Sequence, residues 1–112
     1  MNKDKEFLEH ILEEMDFLTE NCATFEMQVL MTDKVLSRAC LKSLEIIGEA
    51  SRNISDDMKM AHPEIPWRQM TGMRNKLVHH YFGVDWEIVD DVLKNELTDL
   101  RSNILRLLSD HS

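Results

Sequence analysis

The longest helical pattern in the chain lies at residues 33–53 and reads DKVLSRACLKSLEIIGEASRN. Its apolar residues recur every three or four positions, which is the spacing of one face of an α-helix; they are Leu36, Cys40, Leu44, Ile47 and Ala50. At 1.5 Å per residue such a helix would be roughly 30 Å long, enough to form the centre of a small domain. The pattern begins upstream near Phe25, and the sequence leaves open whether Asp33 interrupts it.

An amphipathic helix is predicted from about Lys3 to Glu20. Its apolar face consists of Phe7, Leu8, Ile11, Leu12, Met15 and Leu18. Its predicted solvent face carries acidic residues, namely Asp4, Glu6, Glu9, Glu13, Glu14 and Asp16. This helix can therefore bury one side against the central helix.

Three further helices follow. Ser55 can cap a short helix through Met60, and another helix begins near Trp67 and must end by Gly83. Asp85 is a suitable N-cap for a last helix to about Leu108, with an apolar stripe of Ile88, Val92, Leu93, Leu97, Leu100, Ile104 and Leu107. We therefore predict an all-α fold: an antiparallel bundle of four main helices plus a short helix.

Length and composition limit the classes of protein. A chain of 112 residues with 43% hydrophobic residues predicts one globular domain over residues 1–112. The apolar runs are short, and the first residues include acidic ones where a signal peptide would carry an apolar stretch, so we expect a cytoplasmic protein without membrane contact. The net charge of -8 argues against broad affinity for nucleic acid, so any RNA chemistry needs a local site. Cys22 and Cys40 lack the paired spacing of a metal or redox motif and are expected to be buried thiols.

The densest polar cluster lies at residues 73–83 and reads MRNKLVHHYFG. Arg74 offers a planar fork for phosphate oxygens, and His79 carries an imidazole that titrates near neutral pH. A neutral imidazole can accept the proton of a ribose 2′-hydroxyl while a guanidinium stabilises the growing phosphoryl charge. This chemistry would leave a 2′,3′-cyclic phosphate and needs no metal ion or other cofactor.

Helix geometry separates the two candidate catalytic residues. At 100° per residue, Arg74 and His79 would point about 140° apart on one helix, whereas Arg74 and Tyr81 nearly coincide in direction. A two-fold axis could bring two copies of the segment face to face. We therefore expect a composite site across a homodimer.

At these residues the chain resembles the HepT toxins of the HEPN helical superfamily, whose ribonucleases carry an Arg, a spacer of four to six residues and a His. The extended motif continues with one residue and a Tyr, which here are His80 and Tyr81. Residues 46–50 (IIGEA) and residues 65–67 (IPW), which lead through Gly72 and Met73 into the motif, are also similar to this family.

The resemblance implies an all-α, HEPN-like dimer with endoribonuclease activity on RNA. Arg74 and His79 would be catalytic, with Asn75 and His80 as supporting residues. It also implies a toxin–antitoxin pair in which a minimal nucleotidyltransferase antitoxin attaches AMP to Tyr81. A bulky anion beside Arg74 would occupy the cation that the RNA phosphate needs.

Other interpretations of the same residues stay open. Adjacent histidines on a helix point about 100° apart and no HExxH or CxxC companion exists, so His79 and His80 do not predict a metal site. The acidic charge favours a second function, a noncatalytic helical dimer that binds a nucleotidyltransferase or a nucleotide. A third is a purely structural dimerisation module. The isolated histidines, His10, His62 and His111, are predicted to be surface residues, and Trp67 and Trp86 to be packing anchors.

Overall fold

The computed structural model describes residues 2–77 and 83–111, and the side chains of residues 3–73 and 83–111. Its helices are α1 (Asn2–Asn21), α2 (Met27–Thr32), α3 (Lys34–Arg52), α4 (Asp56–Ala61), α5 (Trp67–Leu77), α6 (Trp86–Asp91) and α7 (Leu97–Asp110). A π-helical segment, Val92–Glu96, joins α6 to α7 in one continuous C-terminal helix. The described residues form no strand. The predicted all-α fold with four main helices is confirmed.

Asp33 interrupts the helical pattern, which settles the question that the sequence left open. Its backbone is extended, and its carboxylate accepts hydrogen bonds from the N–H groups of Val35 and Leu36, both at 2.9 Å. This side-chain cap satisfies two of the donors that an α-helix leaves unpaired at its start. The described residues consequently contain two short helices, α2 and α4, where the sequence predicted one.

The two other predicted caps are present. The Ser55 hydroxyl accepts a hydrogen bond from the Met58 N–H at 3.2 Å, and the Asp85 carboxylate accepts one from the Ile88 N–H at 3.2 Å. Both residues have extended backbones immediately before a helix, as N-caps require. The starts of α4 and α6 are thus fixed by their own sequences.

The core forms where α3 packs against both α1 and α5, while α1 also packs against α7. Most of the predicted apolar stripes are buried there, including Leu8, Ile11, Met15, Leu18, Cys40, Leu44, Ile47, Leu97, Leu100 and Ile104. The prediction for Ile88 is wrong: its side chain is 44% exposed, and Val89 is buried in its place. The π-helical turn holds more residues than an α-helical turn, so it rotates α6 relative to α7.

Polar contacts hold α1 against its neighbours. The Ser43 hydroxyl of α3 donates to the Glu14 carboxylate at 2.8 Å, and the Arg101 guanidinium of α7 donates to Asp16. These contacts join positions 29 and 85 residues apart in the chain. They fix how far each helix slides along α1, which apolar contacts alone specify weakly.

Asp4 does not lie on the solvent face, so that prediction is wrong. Its side chain is only 2% exposed, and its carboxylate accepts hydrogen bonds from the Ser55 N–H at 2.9 Å and the Ser55 hydroxyl at 2.5 Å. Burial raises the pKa of Asp4, but the hydrogen bonds from Ser55 outweigh it and leave the pKa below the usual value. The start of α1 is thereby tied to the start of α4.

Replacing Asp4 by alanine should lower the free energy of unfolding by about 2 kcal/mol, because a buried charge-assisted contact is lost and Ser55 loses its partner. Since the folded pKa is lowered, this stabilisation is complete above the ordinary value of 3.8 and is lost as the pH falls below it. Urea unfolding of wild type and Asp4→Ala across this range measures both effects. Glu9→Ala, at an exposed position of α1, is the matched control and should change stability little.

Candidate functional site

The predicted catalytic segment lies only partly within the described residues. The backbones of Arg74 and Asn75 belong to the last part of α5. His79, His80 and Tyr81 lie outside the described residues. Their predicted roles therefore stay predictions. The backbone of α5, which leads into the segment, is described to Leu77.

Helix α5 is anchored along one side. Trp67, Met70 and Met73 recur every three residues and are all buried, and α5 packs on α3. The Trp67 indole N–H donates to the His62 carbonyl at 3.0 Å, so Trp67 is the packing anchor that the sequence predicted. Arg74 follows Met70 by four residues, so its backbone lies one helical turn further along the same stripe. The core therefore fixes where the backbone of α5 carries residue 74.

The sequence of α5, WRQMTGMRNKL, contains three cations and no carboxylate. The cations are Arg68, Arg74 and Lys76. The whole chain has a net charge of -8, so α5 is a locally basic element in an acidic protein. A local cluster of this kind can attract an anion that the rest of the surface repels.

A pair of carboxylates on the C-terminal helix lies beside α5. The Gln69 amide donates to the Glu96 carboxylate at the end of the π-helical segment, and Asp91 is close to Glu96. Burial, and then the hydrogen bond and charge of Asp91, raise the pKa of Glu96 despite the Gln69 contact. Sequence reasoning missed this pair, because the wide turn that brings Asp91 and Glu96 together leaves no periodic signal.

The cysteines, the candidate metal ligands and the length of the apolar helices also bear on function. Cys22 and Cys40 are buried free thiols, as predicted. Among the described residues, no group of three or more His, Cys, Asp or Glu side chains could hold a metal ion. None of the described helices is long and apolar enough to span a membrane.

These features define a small helical protein with a basic helix leading into an Arg–His segment. The profile of the HepT-like family, described as ribonuclease HepT-like, matches residues 9–107. The chain therefore belongs to the HepT-like ribonuclease family, and this membership supports a ribonuclease function.

Curated relatives match nearly the whole chain. A provisionally assigned RNase of Caldanaerobacter subterraneus subsp. tengcongensis is 38% identical over 108 residues, covering 96% of both chains. The protein named "Probable ribonuclease HepT" of Thermococcus cleftensis is 41% identical over 103 residues, covering 92% of this chain and 94% of the relative. A provisionally assigned RNase of Methanocaldococcus jannaschii is 35% identical over 104 residues, covering 93% and 86%. No solved structure matches.

Replacing Glu96 by glutamine should raise stability at pH 7 by about 0.5 kcal/mol, because the half-buried carboxylate repels Asp91 and is partly screened by solvent. The amide oxygen can still accept from Gln69. A raised folded pKa destabilises the ionised form, so the gain should disappear once the pH falls below the ordinary value of 4.5. Thermal unfolding at pH 7 and pH 4 measures this. Glu13→Gln, an exposed position, is the control; an equal gain there would contradict the explanation.

Proposed function

We propose that this chain is a metal-independent endoribonuclease, a toxin that acts as a single domain spanning residues 1–112. The match of the HepT-like ribonuclease family over residues 9–107 carries this proposal, because the match includes the whole Arg–His segment. The basic sequence of α5 supports it further, since RNA must approach an otherwise acidic protein at a local cationic site.

In the proposed reaction, the 2′-oxygen of a ribose attacks the adjacent phosphorus. The new O–P bond forms as the bond to the 5′-oxygen breaks, which leaves a 2′,3′-cyclic phosphate and a 5′-hydroxyl. His79 accepts the 2′-hydroxyl proton or donates the proton that the leaving oxygen takes up. Arg74 stabilises the charge on the phosphoryl oxygens. Asn75 and His80 support binding of the RNA.

The active species is proposed to be a homodimer. The backbone of Arg74 lies one helical turn beyond that of Met70, and on a continuing helix His79 would point about 140° from Arg74. One chain therefore presents the two side chains in different directions, and a two-fold axis offers the simplest way to complete the site. Each site would then combine residues from both copies.

The proposed partner is a minimal nucleotidyltransferase antitoxin in the cytoplasm, in a type II or type VII-like pair. It would transfer AMP to Tyr81, two helical turns beyond Arg74 if the helix continues. The added phosphate would compete with RNA for the guanidinium. Modification would thus block substrate binding and leave the fold intact.

Cleavage of a labelled single-stranded RNA in EDTA tests the proposed activity. Unmodified wild-type protein should cut and leave a 2′,3′-cyclic phosphate. His79→Ala should lose at least about 100-fold in rate, and Arg74→Ala about 100- to 1,000-fold, since each removes a group that acts in the transition state. The proposed mechanism is wrong if wild-type protein that is folded and dimeric does not cleave the RNA, or cleaves it only when a divalent ion is added.

Control variants distinguish the loss of a catalytic group from the loss of a positive charge that only attracts RNA. Arg68→Ala removes an exposed cation of α5 and should raise KM modestly while leaving kcat nearly unchanged. His10→Ala removes an exposed histidine of α1 and should have no effect. Mixing Arg74→Ala with His79→Ala under conditions of subunit exchange should restore part of the activity, because mixed dimers rebuild one composite site. If the subunits exchange but RNA cleavage does not recover, a site shared between the two copies is contradicted.

Tyr81→Phe should keep RNA cleavage within a few-fold of wild type, because the phenol takes no part in the proposed chemistry. A nucleotidyltransferase encoded beside the gene, supplied with ATP, should add one AMP to wild type and abolish its cleavage. The same treatment should leave Tyr81→Phe unmodified and active. Mass spectrometry measures the added AMP, and the cleavage assay measures the activity. If Tyr81→Phe is inhibited without being modified, the nucleotidyltransferase inhibits by binding alone.

The net charge of -8 favours one alternative, a noncatalytic dimer that uses the cluster to bind a nucleotidyltransferase or a nucleotide. This alternative predicts that none of the three proteins cleaves RNA: wild type, Arg74→Ala and His79→Ala. It also predicts that Arg74→Ala weakens binding of the partner or the nucleotide. The cleavage assay and a binding titration together separate the two functions.

A further inference from the structure

Exposed apolar side chains are concentrated in one short segment of the chain. Eight large apolar residues are exposed in the part that the structure describes, and half of them lie within residues 25–35. These four are Phe25, Val29, Met31 and Val35. Single exposed apolar side chains are ordinary, whereas a concentration of them marks a surface that another molecule covers.

This segment lies close to the helix that leads into the proposed catalytic residues. It contains α2, which packs against α6, and α6 also packs against α5. The exposed Ile88 of α6 adds a further apolar side chain to the segment. A molecule that covers residues 25–35 together with α6 would therefore lie beside α5, whose last turns carry Arg74.

The start of α3 presents an apolar side chain between two cations. Val35 follows Lys34 and precedes Arg38 by three residues, and all three residues are exposed. Residues three apart lie on the same face of a helix. Residues 34–42 contain no carboxylate, so this face is apolar at its centre and positively charged around it.

Helix α6 presents the same arrangement with the opposite charge. Ile88 follows Glu87 and precedes Asp91 by three residues, and again all three residues are exposed. Residues 85–91 contain four carboxylates and no cation. The start of α3 and the exposed face of α6 are therefore complementary in charge, and each offers one branched apolar side chain at its centre.

We propose that residues 25–35 and α6 form the surface that binds a second copy of this chain, with Val35 of one copy against Ile88 of the other. A two-fold interface uses one surface twice, so each copy supplies both charges. The cations of α3 then meet the carboxylates of α6 at two places, which fixes the orientation of the copies. This inference rests on the proposed homodimer and names the surface that forms it.

Analytical ultracentrifugation of the full-length protein tests this surface. Val35→Glu places a carboxylate against the carboxylates of α6 and should raise the dissociation constant of the dimer at least tenfold. The new carboxylate lies in the first turn of α3, where a negative charge favours the helix, so the variant should fold. Met60→Glu is the matched control and should dimerise like wild type. Met60 is 78% exposed, Val35 is 77% exposed, and Met60 belongs to α4, beyond the other end of α3.

Charge reversal tests how the two copies face each other. Lys34→Glu and Glu87→Lys should each weaken the dimer about tenfold, because each brings like charges together across the interface. The variant that carries both changes should regain most of the affinity, since the opposite charges are paired again. If it is as weak as either single variant, the proposed contact between α3 and α6 is wrong.

Assembly and RNA cleavage are measured on the same proteins and can fail separately. A dimeric wild type that cleaves no RNA contradicts the proposed activity but not this interface. A Val35→Glu variant that dimerises like wild type overturns the interface, whatever its activity. A monomeric wild type also overturns it, and if Val35→Glu then loses binding of the nucleotidyltransferase, that protein covers the surface instead.

Discussion

Helix α3 has to bury two sides at once, because α1 packs against it on one side and α5 on another. Its large buried residues, Leu44 and Ile47, each contribute about 1.5–3 kcal/mol when removed from water. The other buried residues of α3 are small: Cys40, Ser43, Gly48, Ala50 and Ser51. Small residues let neighbouring helices approach closely, so one helix can serve two interfaces. Every other main element takes its position directly or indirectly from this packing.

Buried polar groups add the specificity that apolar packing lacks. The Ser51 hydroxyl, fully buried in α3, donates to the Ile47 carbonyl at 2.7 Å and so adds no unsatisfied group to the core. The contact between Asp4 and Ser55 does more, because Ser55 is also the cap of α4. A single carboxylate therefore couples the first turn of α1 to the start of a helix 51 residues later. Sliding α1 by one turn would separate that buried carboxylate from Ser55, which is costly.

The parts of the fold that the sequence predicted are those governed by local chemistry. Caps at Ser55 and Asp85 and the stripes of α1 and α3 depend on residues a few positions apart, so spacing reveals them. The burial of Asp4 could not be predicted, because helical periodicity assigns a charged residue to solvent unless its distant partner is known. The π-helical turn escaped prediction because α-helical spacing fits its residues almost equally well, and the misplacement of Ile88 follows from it.

At the candidate site too, features set by neighbouring residues could be predicted and contacts between distant residues could not. The sequence predicted a helix from Trp67 that carries Arg74, and the structure confirms that helix and shows what anchors it. The other predicted site residues, His79, His80 and Tyr81, lie beyond its described part. His62 and His111, predicted to be isolated, are hydrogen-bonded through Nε2 atoms 2.8 Å apart. They are 49 positions apart in the chain, so only the folded structure could show this contact.

Charge explains how an acidic protein could still act on RNA. Phosphate contacts normally dominate nucleic-acid affinity, and a net charge of -8 opposes them over most of the surface. The cations in the sequence of α5 act over about one Debye length, roughly 10 Å at moderate salt, so their attraction for an anion is local. A single RNA strand can then approach the protein along α5. The surrounding carboxylates repel its phosphates in any other orientation. Weak general affinity combined with one basic helix would restrict contact to the neighbourhood of Arg74, where the proposed chemistry needs the phosphate.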